Sequence, residues 1–199
     1  MWENRMNREV FMKLIYKGNF DGNPQSLPCR EHHPGAVKFK EFDDPKKLGL
    51  YANLIAIGIM ALLLGVLYIR RGFTFIDIMA GSILSLLAAF PHELLHGICF
   101  KEEVYLYTAW KQGMLFVTGP EVISKRRFIF MSLLPNLIFG FIPYIIALII
   151  PAPAFLGVFG GISLGMGAAD YYNVYNAIRQ MPKGSKTYLY QFNSYWYMP

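Results

Sequence analysis

Four stretches of the chain are long, apolar and almost free of charge: Tyr51–Ile69, Phe75–Phe100, Phe128–Ile150 and Ala154–Ile178. Their apolar residues cluster instead of alternating with the period of two that marks a half-buried strand. A helix rises 1.5 Å per residue, so about 20 residues cross the roughly 30 Å of a bilayer's hydrocarbon. The pattern therefore predicts an all-α membrane protein, a bundle of four transmembrane helices. Between the runs lie polar segments with their own signals. Residues 1–47 carry turn signals at Gly22-Asn23-Pro24 and Pro34-Gly35, and Val37–Phe42 (VKFKEF) alternates well enough for a short strand. In the 101–127 loop, VYLYTAW and MLFVTGP flank Lys111-Gln112-Gly113, which predicts a small β-hairpin. The tail, residues 179–199, is rich in the Tyr and Trp that favour the membrane–water interface.

Composition agrees with this picture. Hydrophobic residues make up 54% of the 199 and charged residues only 16%, against about 25% charged in a soluble domain. The mixed, polar character of residues 1–47 does not read as a cleavable signal peptide. Lys and Arg are distributed very unequally: 17 fall in the lead, the 101–127 loop and the tail, and two, Arg70 and Arg71, between the first two helices. The positive-inside rule then predicts both termini and the hairpin loop in the cytoplasm. The net charge of +6 needs no nucleic acid, because basic residues beside an anionic leaflet account for it. Two cysteines, Cys29 and Cys99, give no disulfide framework and no metal-site spacing.

The second apolar run holds His92-Glu93-Leu94-Leu95-His96, an H-E-x-x-H pattern. On a helix, positions i and i+4 project from one face, so both imidazoles can share a metal, with the intervening glutamate beside it as a base. Zinc takes histidine nitrogen at about 2.0–2.1 Å, and a catalytic site keeps one position for water. In a chain of this composition, chance supplies on the order of 0.003 such matches. The competing reading, buried polar residues held by neighbouring helices, is costly here. An ionisable group at a helix centre in lipid costs about 2.5–3.5 kcal/mol and usually marks function.

Two histidines do not complete a catalytic zinc site. His32 and His33 lie in the polar lead and read as solvated. Asp77 sits at the far end of the second helix, about 22 Å from His92 at the helical rise. Asp170 lies eight residues from the end of the fourth helix, level with the histidines, and is the expected third ligand. Gly157, Gly161, Gly165 and Ala169 recur every four residues, a small-residue stripe that lets helices approach closely in membranes. Asn136 and Asn173 fall at similar depth. They read either as groups that orient the ligands or bind a peptide carbonyl, or as plain interhelical hydrogen bonds.

Taken together, PHELLHGICF, SLLPNLIFGFIP and GMGAADYYNVYNAI resemble the putative zincin peptidases, small bacterial membrane proteins related to the site-2 protease clan of intramembrane metalloproteases. The resemblance spans most of residues 48–199. It implies one zinc ion held by His92, His96 and Asp170, with Glu93 as general base. It also implies a multi-pass protein of the bacterial cytoplasmic membrane and a hairpin that presents substrate in extended form. Here Asp170 is followed by Tyr171 where site-2 proteases have glycine, and the chain has no PDZ-like segment. The leading expectation is a zinc-dependent protease that cuts a peptide bond in or next to a membrane-spanning substrate. The alternative is a non-catalytic membrane adaptor whose metal is structural. A metal or proton pathway is disfavoured, because the first helix is wholly apolar. Oligomeric state has no signature in the sequence.

Overall fold

The computed structural model describes residues 13–42, 45–110, 114–151, 153–191 and 193–199. Helix α1 (Pro45–Arg71) leads into α2 (Phe75–Gly97). The turn between them is closed by a reciprocal cap: the Thr74 hydroxyl accepts from Asp77 N, and Asp77 accepts from Thr74 N at 2.8 Å. Asp77 also accepts from Phe155 N at 3.1 Å, tying the start of α2 to the start of α5 (Ala154–Met166). That role fits its expected distance from the histidines.

The third apolar run is one long element in three parts: α3 (Lys125–Pro135), a π-helical segment (Asn136–Phe141) and α4 (Ile142–Ile149). Pro135 and Pro143 bracket the wide segment, and neither can donate to an α-helical ladder. Ile142 N instead reaches Leu137 O, five residues back. The fourth run is broken. α5 ends at Met166, α6 spans Ala168–Gln180, and the two are bent by 50°. Among the described residues three helices are long and apolar enough to cross a membrane, or four if the bent pair is one span. Outward residues such as Leu62, Ile69 and Ile76 are 67%, 83% and 77% exposed, the surface that hydrocarbon covers.

The small-residue stripe does a different job from the one expected. A Cβ on Gly157 would meet Leu67, and one on Gly161 would meet Leu64. The stripe therefore lets α5 pack on α1, not on the motif helix. Approach to α2 comes from that helix's own Gly81, where a Cβ would fall 2.7 Å from Val158.

An all-α description with one hairpin understates the fold, because two small sheets cap the end of the bundle where α2 and α6 finish. The first has the order β1-β3-β4, with β1 (Lys13–Asn19) parallel to β3 (Glu103–Ala109) and β3 antiparallel to β4 (Met114–Thr118). The predicted hairpin strands are thus present, while their turn, Lys111-Gln112-Gly113, lies outside the described residues. The second sheet has the order β2-β7-β6-β5, from β2 (Val37–Lys38), β5 (Ile123–Ser124), β6 (Lys186–Tyr190) and β7 (Asn193–Tyr197). The tail read as interfacial is therefore a hairpin, and the strand expected over 37–42 is cut to two residues. His32 and His33 are exposed but not free. His32 packs among Tyr188, Tyr190 and Tyr195, and His33 stacks on Tyr197 at 3.8 Å.

Candidate metal centre

His92 and His96 leave α2 one turn apart with ring centroids 4.9 Å from each other. Nδ1 of His96 lies 2.9 Å from the Met131 carbonyl on α3. A carbonyl only accepts, so the proton sits on Nδ1 and the Nε2 lone pair faces the other way. That Nε2 is 3.3 Å from Asp170 Oδ1, and His92 Nε2 is 3.3 Å from Asp170 Oδ2. Two ligands about 2.0–2.1 Å from a tetrahedral zinc stand about 3.3–3.4 Å apart. Each imidazole nitrogen thus stands from a carboxylate oxygen at the separation that a shared zinc requires. The three side chains are 17%, 12% and 14% exposed, open enough for a ligand and dry enough to strengthen it.

Asp170 is held from behind. Asn136 Nδ2 donates to Asp170 Oδ2 at 2.8 Å and to Ser132 O at 3.0 Å, while Tyr171 donates its hydroxyl proton to Asn136 Oδ1 at 3.2 Å. All four amide hydrogen-bond directions but one are used, and Asn136 is only 3% exposed. The bend between α5 and α6 makes room for it. A Cβ at Gly167 would overlap the Asn136 side chain, so only glycine lets that amide sit against the break.

Glu93 projects beside the histidines, and the nearest ligand atoms of His92, Glu93 and His96 all lie within 4.8 Å of one another. Its Oε2 accepts from Val117 N at 3.0 Å. Val117 is on β4, which among the described residues is an edge strand paired only with β3. A cavity of about 360 Å³ is lined by His92, Glu93, His96, Asp170, Asn173 and the β4 residues Leu115, Phe116 and Val117. A second cavity of about 240 Å³ shares Phe100, Val117, Met131 and Asn173 with it. A groove along the free edge of β4 therefore begins at the cavity of His92, His96 and Asp170 and continues toward the second sheet.

The structure brings His92, Glu93, His96, Asp170 and Asn136 together and places Asn173 on the cavity wall. Sequence reasoning missed the Val117 amide, the Met131 carbonyl, Tyr171 and Gly167. The first two are backbone groups with no residue-type signal. Tyr171 and Gly167 flank Asp170 closely enough to have drawn notice, but nothing in their spacing names Asn136 as their partner.

Behind this centre stands the Glu121–Arg127 pair. Arg127 Nη1 donates to Glu121 Oε1 and its Nε to the Cys99 carbonyl just past α2, both at 2.5 Å. Glu121 Oε2 also accepts from Lys101 N at 2.6 Å. The pair fixes the end of the motif helix and the start of β3 to the beginning of α3.

No curated protein and no solved structure matches the chain. The family described as "putative zincin peptidase" matches residues 85–186, from the middle of α2 to the start of β6 and just over half of the chain. That span contains His92, Glu93, His96, Asn136 and Asp170, and by it the chain belongs to the putative zincin peptidase family.

Proposed function

We propose that this protein is a zinc metallopeptidase that hydrolyses a peptide bond in or beside a membrane-spanning substrate. The observation that carries the reading is the placement of the two Asp170 oxygens, Oδ2 3.3 Å from His92 Nε2 and Oδ1 3.3 Å from His96 Nε2, with a glutamate next to His92 on the same helix. His92, His96 and Asp170 would hold the ion. Zinc in such a site supplies Lewis acidity, making water acidic enough to lose a proton near pH 7.

The chain's own groups do the rest. Glu93 takes the proton from the attacking water and passes it to the departing amine. The Val117 N–H, 3.0 Å from Glu93 Oε2, holds that carboxylate in place. Asn136 orients Asp170, and the Met131 carbonyl fixes the tautomer of His96. A helical substrate hides its carbonyls, so the segment to be cut has to unwind. The free edge of β4 then offers strand-like pairing beside the site.

The second reading, a closed structural site, takes its support from the same 4.8 Å grouping, which counts Glu93 among the ligand atoms. One variant separates the two. Glu93→Gln should keep full zinc content and lose cleavage of quenched fluorogenic peptides by the purified, zinc-loaded protein in detergent. Loss of zinc in that variant would make Glu93 a ligand, and undiminished cleavage would end the protease reading.

A further inference from the structure

An unwound peptide in hydrocarbon has to place each backbone N–H and C=O on a protein partner, because bulk water is excluded. An extended chain directs these groups to both of its sides. On the metallopeptidase reading, one side of the substrate meets β4. The other needs partners from the helices.

Among the described residues, three buried side-chain polar atoms have no hydrogen-bond partner: Ser132 Oγ, Ser163 Oγ and Asn176 Nδ2. Both serines line the cavity that holds His92, His96 and Asp170, and they are 1% and 6% exposed. A serine inside a helix commonly turns its hydroxyl onto the carbonyl four residues back. Ser85 does so, donating to Gly81 O at 2.9 Å, and it also lies 3.3 Å from Phe159 O. Ser132 and Ser163 make no such bond. A buried, unpaired hydroxyl destabilises the fold, so these two contribute nothing to it that alanine would not. Their positions are also close to the metal's support. The Ser132 carbonyl receives Asn136 Nδ2, and the Ser163 carbonyl receives Gly167 N.

We propose that Ser132 and Ser163 bind substrate, their hydroxyls pairing with amide groups of the extended peptide that face away from β4. This rests on the metallopeptidase reading. A serine hydroxyl both donates and accepts, and its χ1 has three staggered settings, so rotation from the buried setting into the cavity lets it meet either an N–H or a C=O. The feature recognised is then peptide backbone. The cavity selects an unwound stretch of polypeptide, whatever its side chains.

The test uses zinc-loaded full-length protein in detergent and extended tripeptide hydroxamates, whose hydroxamate group binds zinc. In companion compounds each backbone N–H is replaced in turn by an ester oxygen, and Kd is measured by calorimetry. One ester should weaken binding to the wild type about tenfold. Ser132→Ala or Ser163→Ala should weaken the parent amide by the same factor, after which that ester costs nothing more, the signature of direct coupling. Both alanine variants should melt at or above the wild-type temperature. Additive losses, or alanine variants that bind the parent as the wild type does, would overturn the proposal while leaving the metallopeptidase standing. A lowered Tm would also overturn it, by showing that the hydroxyls serve the fold. Failure of every hydroxamate to bind wild-type protein that holds zinc would overturn both readings.

Discussion

Asp170 meets each imidazole with a different oxygen and carries the Asn136 amide on the oxygen nearer His92. Asp170→Asn keeps the shape of this residue but removes its charge, and an amide is a poor zinc ligand. Zinc affinity, read by competition with a chelator, should fall by at least about 100-fold, while Asn136→Ala should cost about 10–100-fold because it only orients the ligand. Wild-type affinity in Asn136→Ala would reduce that residue to an interhelical bond. The candidate ligands were legible because each is an ionisable group where hydrocarbon penalises one. Their support was less so. Asn136 fitted orientation and packing equally well, and the structure gives it bonds of both kinds, to Asp170 Oδ2 and to Ser132 O. The Val117 amide could belong to any residue, so no reading of side chains would find it.

The bend at Gly167 falls three residues before Asp170 and packs against Asn136, the first residue of the wide π-helical turn. A Cβ at Gly167 overlaps the Asn136 side chain, and overpacking of this kind costs about 1–3 kcal/mol. Gly167→Ala should lower the Tm and weaken zinc binding about tenfold, within the range for lost ligand support. Adding Asn136→Ala should restore the Tm and not the affinity. Recovery of both would disconnect the bend from the metal. The sequence announced that glycines were dense here, but not which face each served, since helix packing and helix breaking draw on the same residue. A second element-level device joins α2, β3 and α3 through Glu121. Burial pushes its carboxyl up, but the Arg127 guanidinium and the Lys101 and Glu102 amides outweigh burial and hold it below the ordinary 4.5. A carboxyl depressed in the fold contributes stability that is complete above 4.5 and is lost as pH falls through the folded value. Melting temperature should therefore drop as pH is lowered from 6 toward 3 (about this range, set by ordinary carboxyl titration). Glu121→Gln should flatten that dependence and cost about 1.5–3 kcal/mol at neutral pH.

At the scale of the molecule, apolar run length marked the three helices long and apolar enough to cross a membrane and the bent pair beside them, because about 20 residues of hydrocarbon-compatible helix leave few alternatives. The sheets were harder to foresee. β1 pairs with β3 in parallel across about 90 residues, as the Lys13–Glu103 register shows, and no local pattern encodes such a partner. Which way the assembled molecule faces follows from charge. Both sheets stand at one end of the bundle, and among the described residues 14 of the 16 Lys and Arg lie in the segments at that end, against Arg70 and Arg71 at the other. Positive-inside bias then predicts that the sheets, and with them the mouth of the β4 groove, face the cytoplasm. The native cysteines offer the measurement. Cys29 is exposed and Cys99 only partly so, and burial pushes the Cys99 thiol up, so it reacts more slowly than Cys29. A membrane-impermeant maleimide should leave intact cells unlabelled and should label Cys29 quickly and Cys99 slowly in inside-out vesicles. A cysteine placed at Pro151, between the third and fourth crossings, should show the opposite sidedness. Labelling of Cys29 in intact cells would invert the molecule and put the groove on the far side of the membrane.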